Sequence, residues 1–140
     1  MSFVLDASMM LSWHFADELT EGRLAVADRT IEELVVVPSH WLAEVANGVL
    51  IGERRGRSLP AQTTVLLEKI KQMEIEVDDI GGADPFFRLL PLARAHRLTV
   101  YDAGYLELAE RRGLPIATLD VELAQAARTV GLEVLDGEGR

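Results

Sequence analysis

A three-layer α/β/α sandwich around a mainly parallel sheet is the fold class this sequence predicts. Short apolar or β-branched runs alternate with stretches of helical periodicity from one end to the other, and the connections between them are brief. Parallel strands joined by right-handed helical crossovers are the arrangement that such an alternation favours. With 140 residues, 49% of them apolar, the chain has enough to bury for one core, and a single domain spanning 1–140 is expected. No internal repeat, low-complexity tract or linker interrupts it.

Phe3-Val4-Leu5 reads as a short buried strand ending at Asp6, and Met9 to Phe15 as a short helix with Ser8 as its cap. A second helical pattern places Leu24, Ala27, Ile31 and Leu34 on one inward face and runs into Leu34-Val35-Val36-Val37, a strand stopped by Pro38. Ser39 to about Arg55 is a long helix with Trp41, Leu42, Val45, Val49 and Leu50 inward, broken at Gly56-Arg57-Ser58-Leu59-Pro60. Ala61 to Gln72 is helical again, and Glu74-Ile75-Glu76-Val77 alternates as a half-exposed strand does. After a turn at Gly81-Gly82, Asp84-Pro85 opens a helix that Pro91 kinks or splits, with Phe86-Phe87 placed in the core. Leu98-Thr99-Val100-Tyr101 leads as a strand into Asp102 and a helix closed by Gly113. Pro115 to Leu119 is a buried strand ending at Asp120, Val121 to Val130 a helix closed by Gly131, and Leu132 to Leu135 a last strand.

Composition removes several classes of function. With no cysteine there is no disulfide scaffold, thiolate zinc site, iron–sulfur cluster or cysteine nucleophile, so any chemistry runs on oxygen and nitrogen. No apolar run is long enough to cross a bilayer, which speaks against a membrane partner. Met1-Ser2-Phe3-Val4-Leu5-Asp6 lacks the segments of a secretory leader, which makes a cytoplasmic location the expectation. The formal net charge of −9 means that the overall field repels polyphosphate; a nucleic-acid partner would need local arginines or a bound cation to reverse the sign.

Four carboxylates fall where open α/β sheets gather chemistry, outside the carboxyl ends of the strands. Asp6 ends the first strand, Asp120 a later one, Asp102 opens a helix, and Glu44 lies at the rim of the apolar arc of its helix, with Asn47 and Gly48 beside it. Taken singly, the aspartates are explained equally well as helix caps and Glu44 as a solvated helix residue. Taken together, with no lysine near any of them, they would repel one another unless protonated or bridged by a hard cation such as Mg²⁺ or Mn²⁺. Rival acidic sites fit less well. Asp6 is followed by Ala7 and Ser8, not by the second aspartate of a haloacid-dehalogenase-type phosphatase, and the only lysines, Lys69 and Lys71, lie away from the strand ends as a receiver domain would not have them. Gly-x-Gly-x-x-Gly, Walker and Gly-x-Ser-x-Gly patterns are absent, and His14, His40 and His96 share no metal-ligand spacing with one another.

Phe3-Val4-Leu5-Asp6-Ala7-Ser8, Glu44-Val45-Ala46-Asn47, Tyr101-Asp102-Ala103-Gly104-Tyr105 and Leu114-Pro115-Ile116-Ala117-Thr118-Leu119-Asp120, taken in order, resemble the PIN-domain ribonucleases, and among them the VapC toxins of type II toxin–antitoxin modules. The resemblance implies a PIN-like fold and a Mg²⁺- or Mn²⁺-dependent endoribonuclease, usually a homodimer, held inactive by a cognate antitoxin protein. By the same resemblance Asp6, Glu44, Asp102 and Asp120 match the family's catalytic and metal-holding acids, Asp6 and Asp102 as direct ligands. Ser8, Asn47 and Thr118 match small polar positions around them. Such a site hydrolyses RNA by water activated on Mg²⁺, leaving a 5′-phosphate and a 3′-hydroxyl. Arg54, Arg55 and Arg57, with Arg111 and Arg112, are the candidate RNA contacts, with charge complementing a helix end as their other reading. Two alternatives stay open: a PIN nuclease of RNA processing without a toxin role, and a catalytically inactive PIN-like binding module.

Overall fold

The structure, a computed structural model, describes residues 1–138. Five parallel strands form one sheet: β1 (Ser2–Leu5), β2 (Leu34–Pro38), β3 (Ile75–Asp78), β4 (Ile116–Ala117) and β5 (Val134–Leu135), in the order β3-β2-β1-β4-β5. β1 is central, with Phe3 opposite Val35 and Val4 opposite both Val36 and Ile116. Phe3, Val4 and Leu5 are wholly buried, as a strand covered on both faces requires, which is why this segment shows no alternation in sequence. The chain winds outward from β1 to β2 and β3 on one side and returns to β4 and β5 on the other. A crevice therefore opens at the carboxyl ends of β1 and β4, the switch point of the sheet.

Eight α-helices among the described residues complete the α/β/α layers: α1 (Ala7–His14), α2 (Glu21–Arg29), α3 (Trp41–Arg54), α4 (Pro60–Gln72), α5 (Ile80–Ala83), α6 (Leu90–His96), α7 (Val100–Arg112) and α8 (Val121–Thr129). α7 packs against β1, β2 and β4, and every residue from Ala103 to Ala109 is buried. Its carboxyl end is stitched to β3. Arg111 pairs with Asp78 at 2.8 Å and with Glu107 at 2.8 Å, and Arg112 pairs with Glu76. The Arg111 guanidinium holds the Asp78 carboxyl below its usual range, so this pairing stabilises the fold above that range and is lost as pH falls through the lowered value. Arg111 and Arg112 are therefore structural cations, not the free RNA contacts expected of them. None of the helices among the described residues is long and apolar enough to cross a membrane.

Five local expectations are corrected. Leu42 and Leu50 of α3 do not face inward but are 53% and 42% exposed. Leu98 to Tyr101 is not a strand: Thr99 caps α7, its hydroxyl accepting from the Asp102 N–H at 3.1 Å, so winding begins at Val100. Gly81-Gly82 lies within the single turn of α5. Phe86 and Phe87 are 76% and 84% exposed, because Pro85–Leu89 winds as a π-turn that directs only Leu89 inward. The expected inner face of α2 is also displaced. Only Val26 of that helix is buried, while Leu24 and, beyond its end, Ile31 rim an open groove of about 640 Å³ against α1 and α4. Pro91 does split its segment, standing in the first turn of α6.

Candidate active site

The crevice at the switch point is built by two hydroxyls that tie the start of the chain to its last crossover. Asp6 follows β1 directly and is 4% exposed. It occupies the N-cap position of α1, where Ser8 was expected, yet its side chain makes no capping bond. Instead its Oδ2 accepts from Ser8 Oγ at 2.6 Å and from Thr118 Oγ1 at 2.7 Å. Each hydroxyl is itself fixed by a backbone donor: the Leu119 N–H reaches Ser8 Oγ at 3.0 Å, and the Asp120 N–H reaches Thr118 Oγ1 at 3.0 Å. The loop after β4 thus orients the acid after β1.

Asp120 caps α8, with Oδ1 accepting from the Leu123 N–H at 2.8 Å. The capping role foreseen as one reading is real here, and it engages one carboxylate oxygen only. Asp102 lies in the first turn of α7 and is half-buried. Its carboxyl is raised to about 6, first by burial and then by the charges of Asp120, Asp6 and Glu44. Asp6 is raised as well, mainly by burial, with the two hydroxyls opposing and Asp120 adding to the shift. Glu44, projecting from α3, is raised by burial and by the Asp6 charge. The four acids therefore share one electrostatic neighbourhood.

Two residues of this neighbourhood escape sequence reasoning. The Tyr105 hydroxyl donates to Glu44 Oε1 at 2.6 Å, and burial beside Asp6 and Glu44 keeps it protonated far above its ordinary range. His40 Nε2 lies 3.4 Å from the same oxygen, and the ring meets Tyr101 and Tyr105 edge-on. Burial pushes the imidazole below its usual range, so at neutral pH it is an uncharged neighbour and forms no ion pair. Gly104 makes room for this ring, because a Cβ there would stand 2.7 Å from His40 Cε1. The signals were present as spacings: His40 is one turn before Glu44, and Tyr105 one turn after Asp102.

Asn47 is exposed on α3, one turn beyond Glu44. Arg54 and Arg55 are exposed at the end of that helix. Arg57 is already held by Asp17 at 2.9 Å and Glu18 at 2.6 Å, with its guanidinium over the Phe15 ring.

The donor set suits a hard divalent cation. Asp6, Glu44, Asp102 and Asp120 offer carboxylate oxygen only, and no lysine or arginine of the described residues pairs with any of them. Burial and mutual repulsion raise three of the four, a cost that a divalent cation would remove. The fit is one of charge and donor type. Among the described residues, no three histidine, aspartate or glutamate side chains are already gathered into a closed cage.

Comparison with known proteins agrees with this fold. The PIN domain family profile matches residues 3–129. The chain is 31% identical over 127 residues to a protein named Ribonuclease VapC3 from Pyrobaculum aerophilum, covering 89% of this chain and 94% of that one. It is 30% identical over 125 residues to a Ribonuclease VapC3 of Mycobacterium tuberculosis, covering 88% and 85%. Two crystal structures share the fold. PAE2754 from Pyrobaculum aerophilum has a TM-score of 0.69 at 23% identity, over 97% of this chain and 85% of that one. FitAcB from Neisseria gonorrhoeae has a TM-score of 0.64 at 21% identity, over 98% of each chain.

Proposed function

The chain belongs to the PIN-domain family, as a VapC-like ribonuclease, and from that premise we propose that it is a metal-dependent endoribonuclease acting as the toxin of a toxin–antitoxin pair. The observation that carries the reading is the carboxylate neighbourhood at the β1/β4 switch point, where Asp6, Glu44 and Asp102 are all raised by burial and by the charge of neighbouring carboxylates, Asp120 acting on Asp6 and Asp6 on Glu44. Asp6 and Asp102 would hold Mg²⁺ or Mn²⁺ most directly, with Glu44 and Asp120 completing the set. Such a cation, when bound, lowers the pKa of water and offsets negative charge on a phosphodiester. The chain's own residues do the rest. Ser8 and Thr118 fix the Asp6 carboxylate, Tyr105 orients Glu44, and the α8 cap leaves Asp120 one oxygen free of the Leu123 bond.

The test is cleavage of total cellular RNA by the purified protein in Mg²⁺ or Mn²⁺, with EDTA as the control. Discrete fragments bearing 5′-phosphate and 3′-hydroxyl ends, lost with EDTA, are expected. A 2′,3′-cyclic phosphate would overturn the reading, since the RNA's own 2′-hydroxyl would then be the nucleophile.

Cation binding should also be pH-dependent. Because the Asp102 carboxyl is raised to about 6, its proton is off at pH 7.5 and must be displaced at pH 5.0. Displacing that one proton weakens binding about tenfold per pH unit below 6, so Mn²⁺ affinity by calorimetry should be at least ~10-fold lower at pH 5.0 than at pH 7.5. Equal affinity at the two values would mean that no proton on Asp102 competes with the cation in this range.

The antitoxin partner, the toxin role and a homodimer are carried by the family resemblance. An acidic crevice attracts an arginine side chain, so a partner peptide presenting one would occupy the RNA path. Growth arrest on expression, relieved by a co-expressed partner gene, distinguishes the toxin from an RNA-processing nuclease of the same fold.

A further inference from the structure

We infer that the groove between α1 and α3, leading away from Ser8 and Asp120, receives one unstacked nucleobase of the RNA beside the bond to be cut; this rests on the nuclease reading above. The groove has a volume of about 360 Å³ and is walled by Leu11, Ile51 and Leu119, with Phe15 at its far end. α1 and α3 both start at the acidic crevice and run outward side by side. Gly48 lies against Leu11 and Gly52 against Phe15, so tightly that a Cβ at either glycine would come within 2.5 Å of those side chains. From Ser8 to Phe15 the groove follows roughly 10 Å of helix, at 1.5 Å per residue. Glu18 and Arg57 form its polar outer end.

The charge of the protein says what such an apolar groove is for. At a net charge of −9, with Arg57, Arg111 and Arg112 paired with carboxylates and only Arg54 and Arg55 left of the candidate contacts, ionic contact with phosphates is a weak source of affinity. Single-stranded RNA offers another, the apolar faces of splayed bases. The groove shares Ser8 and Asp120 with the candidate active site, so a base seated in it flanks the phosphate presented to the acids.

Ile51, 39% exposed on the groove wall, allows a test that spares the acids. Ile51→Trp fills the groove, Ile51→Ala widens it, and Leu50→Trp changes the neighbouring, 42% exposed position outside the groove as a control. Each is assayed with a fluorescein-labelled RNA octamer of random sequence, for cleavage in Mn²⁺ and for binding by anisotropy in Ca²⁺. Equal urea midpoints and equal Mn²⁺ affinity establish that fold and metal site are intact. Expected are a KM raised at least tenfold by Ile51→Trp with kcat within twofold, loss of base preference at one position flanking the cut, and a shift toward larger bases in Ile51→Ala. Unchanged KM and base preference in both Ile51 variants would overturn the groove while leaving the nuclease standing. RNA binding lost in Ile51→Trp, from a wild-type protein that cleaves nothing, would support the groove and overturn the nuclease. Neither binding nor cleavage by the wild type would overturn both.

Discussion

Asp6→Asn should abolish RNA cleavage and at the same time raise the melting temperature of the metal-free protein. Asp6 is 4% exposed, and burial together with the Asp120 charge opposes its ionisation. Asparagine keeps a carbonyl oxygen where Oδ2 stands, so the Ser8 and Thr118 hydroxyls retain their acceptor. What leaves is a carboxyl whose ionisation burial and the neighbouring Asp120 oppose, and which is needed only to hold a cation. Cleavage should fall by more than about 100-fold, since loss of a mere supporting group around a metal costs 10–100-fold. The melting temperature should rise by ~2–5 °C, the shift that relief of about 1 kcal/mol gives in a domain of this size. The Asp102 carboxyl, freed of one like charge, should titrate below its present value of about 6. Scanning calorimetry and a cleavage time course on the same preparation decide it. Retained cleavage, or a melting point that drops, would mean that Asp6 is an ordinary structural aspartate.

Thr118→Val should damage both stability and chemistry although it preserves shape. Thr118 is wholly buried and is the joint between the two halves of the crevice, donating to Asp6 Oδ2 and accepting from the Asp120 N–H. Valine leaves that part-buried N–H without its partner, which costs up to about 1–3 kcal/mol. It also leaves Asp6 with Ser8 alone to orient it, and cleavage should drop about 10–100-fold, as for other groups that orient a metal ligand. Thr118→Ser restores the hydroxyl and should recover most of the activity while losing only the packing of a methyl group. Urea unfolding and cleavage rates on the three proteins separate the contributions. A serine variant as poor as the valine variant would show that packing, and not the hydroxyl, is what matters at this position.

The sheet was legible because buried parallel strands write themselves as uninterrupted apolar runs, and Phe3-Val4-Leu5 and Val35-Val36-Val37 are such runs. Asp6 and Asp120 were legible for the same reason, each standing where a strand ends and a helix starts. Leu98 to Tyr101 misled because Thr99 and Val100 are β-branched, as strand residues commonly are, whereas the Thr99 hydroxyl sets the true start of α7. Phe86, Phe87, Leu24 and Ile31 misled in the opposite sense, since apolar character does not say which side of a helix faces the sheet. The pairing of Tyr105 with Glu44, 61 positions apart, depends on α3 and α7 meeting in space, and no local pattern encodes it. Arg57 and Arg112 looked like free cations because their carboxylate partners are distant in sequence, as is Asp78 for Arg111, whose other partner, Glu107, lies one turn before it.

The Thr118–Asp6 bond joins positions separated by 112 residues, which makes the timing of biosynthesis part of this protein's chemistry. A ribosome adding 5–20 residues each second needs roughly 6–22 s to pass from one to the other. Throughout that interval the nascent chain carries Asp6, then Glu44, then Asp102, without the loop that turns them toward a common point. A polypeptide interrupted anywhere before Thr118 contains at most three of the four acids and no assembled crevice. Products terminated before Thr118 should therefore lack cleavage activity, since the Thr118–Asp6 bond needs the elongated chain.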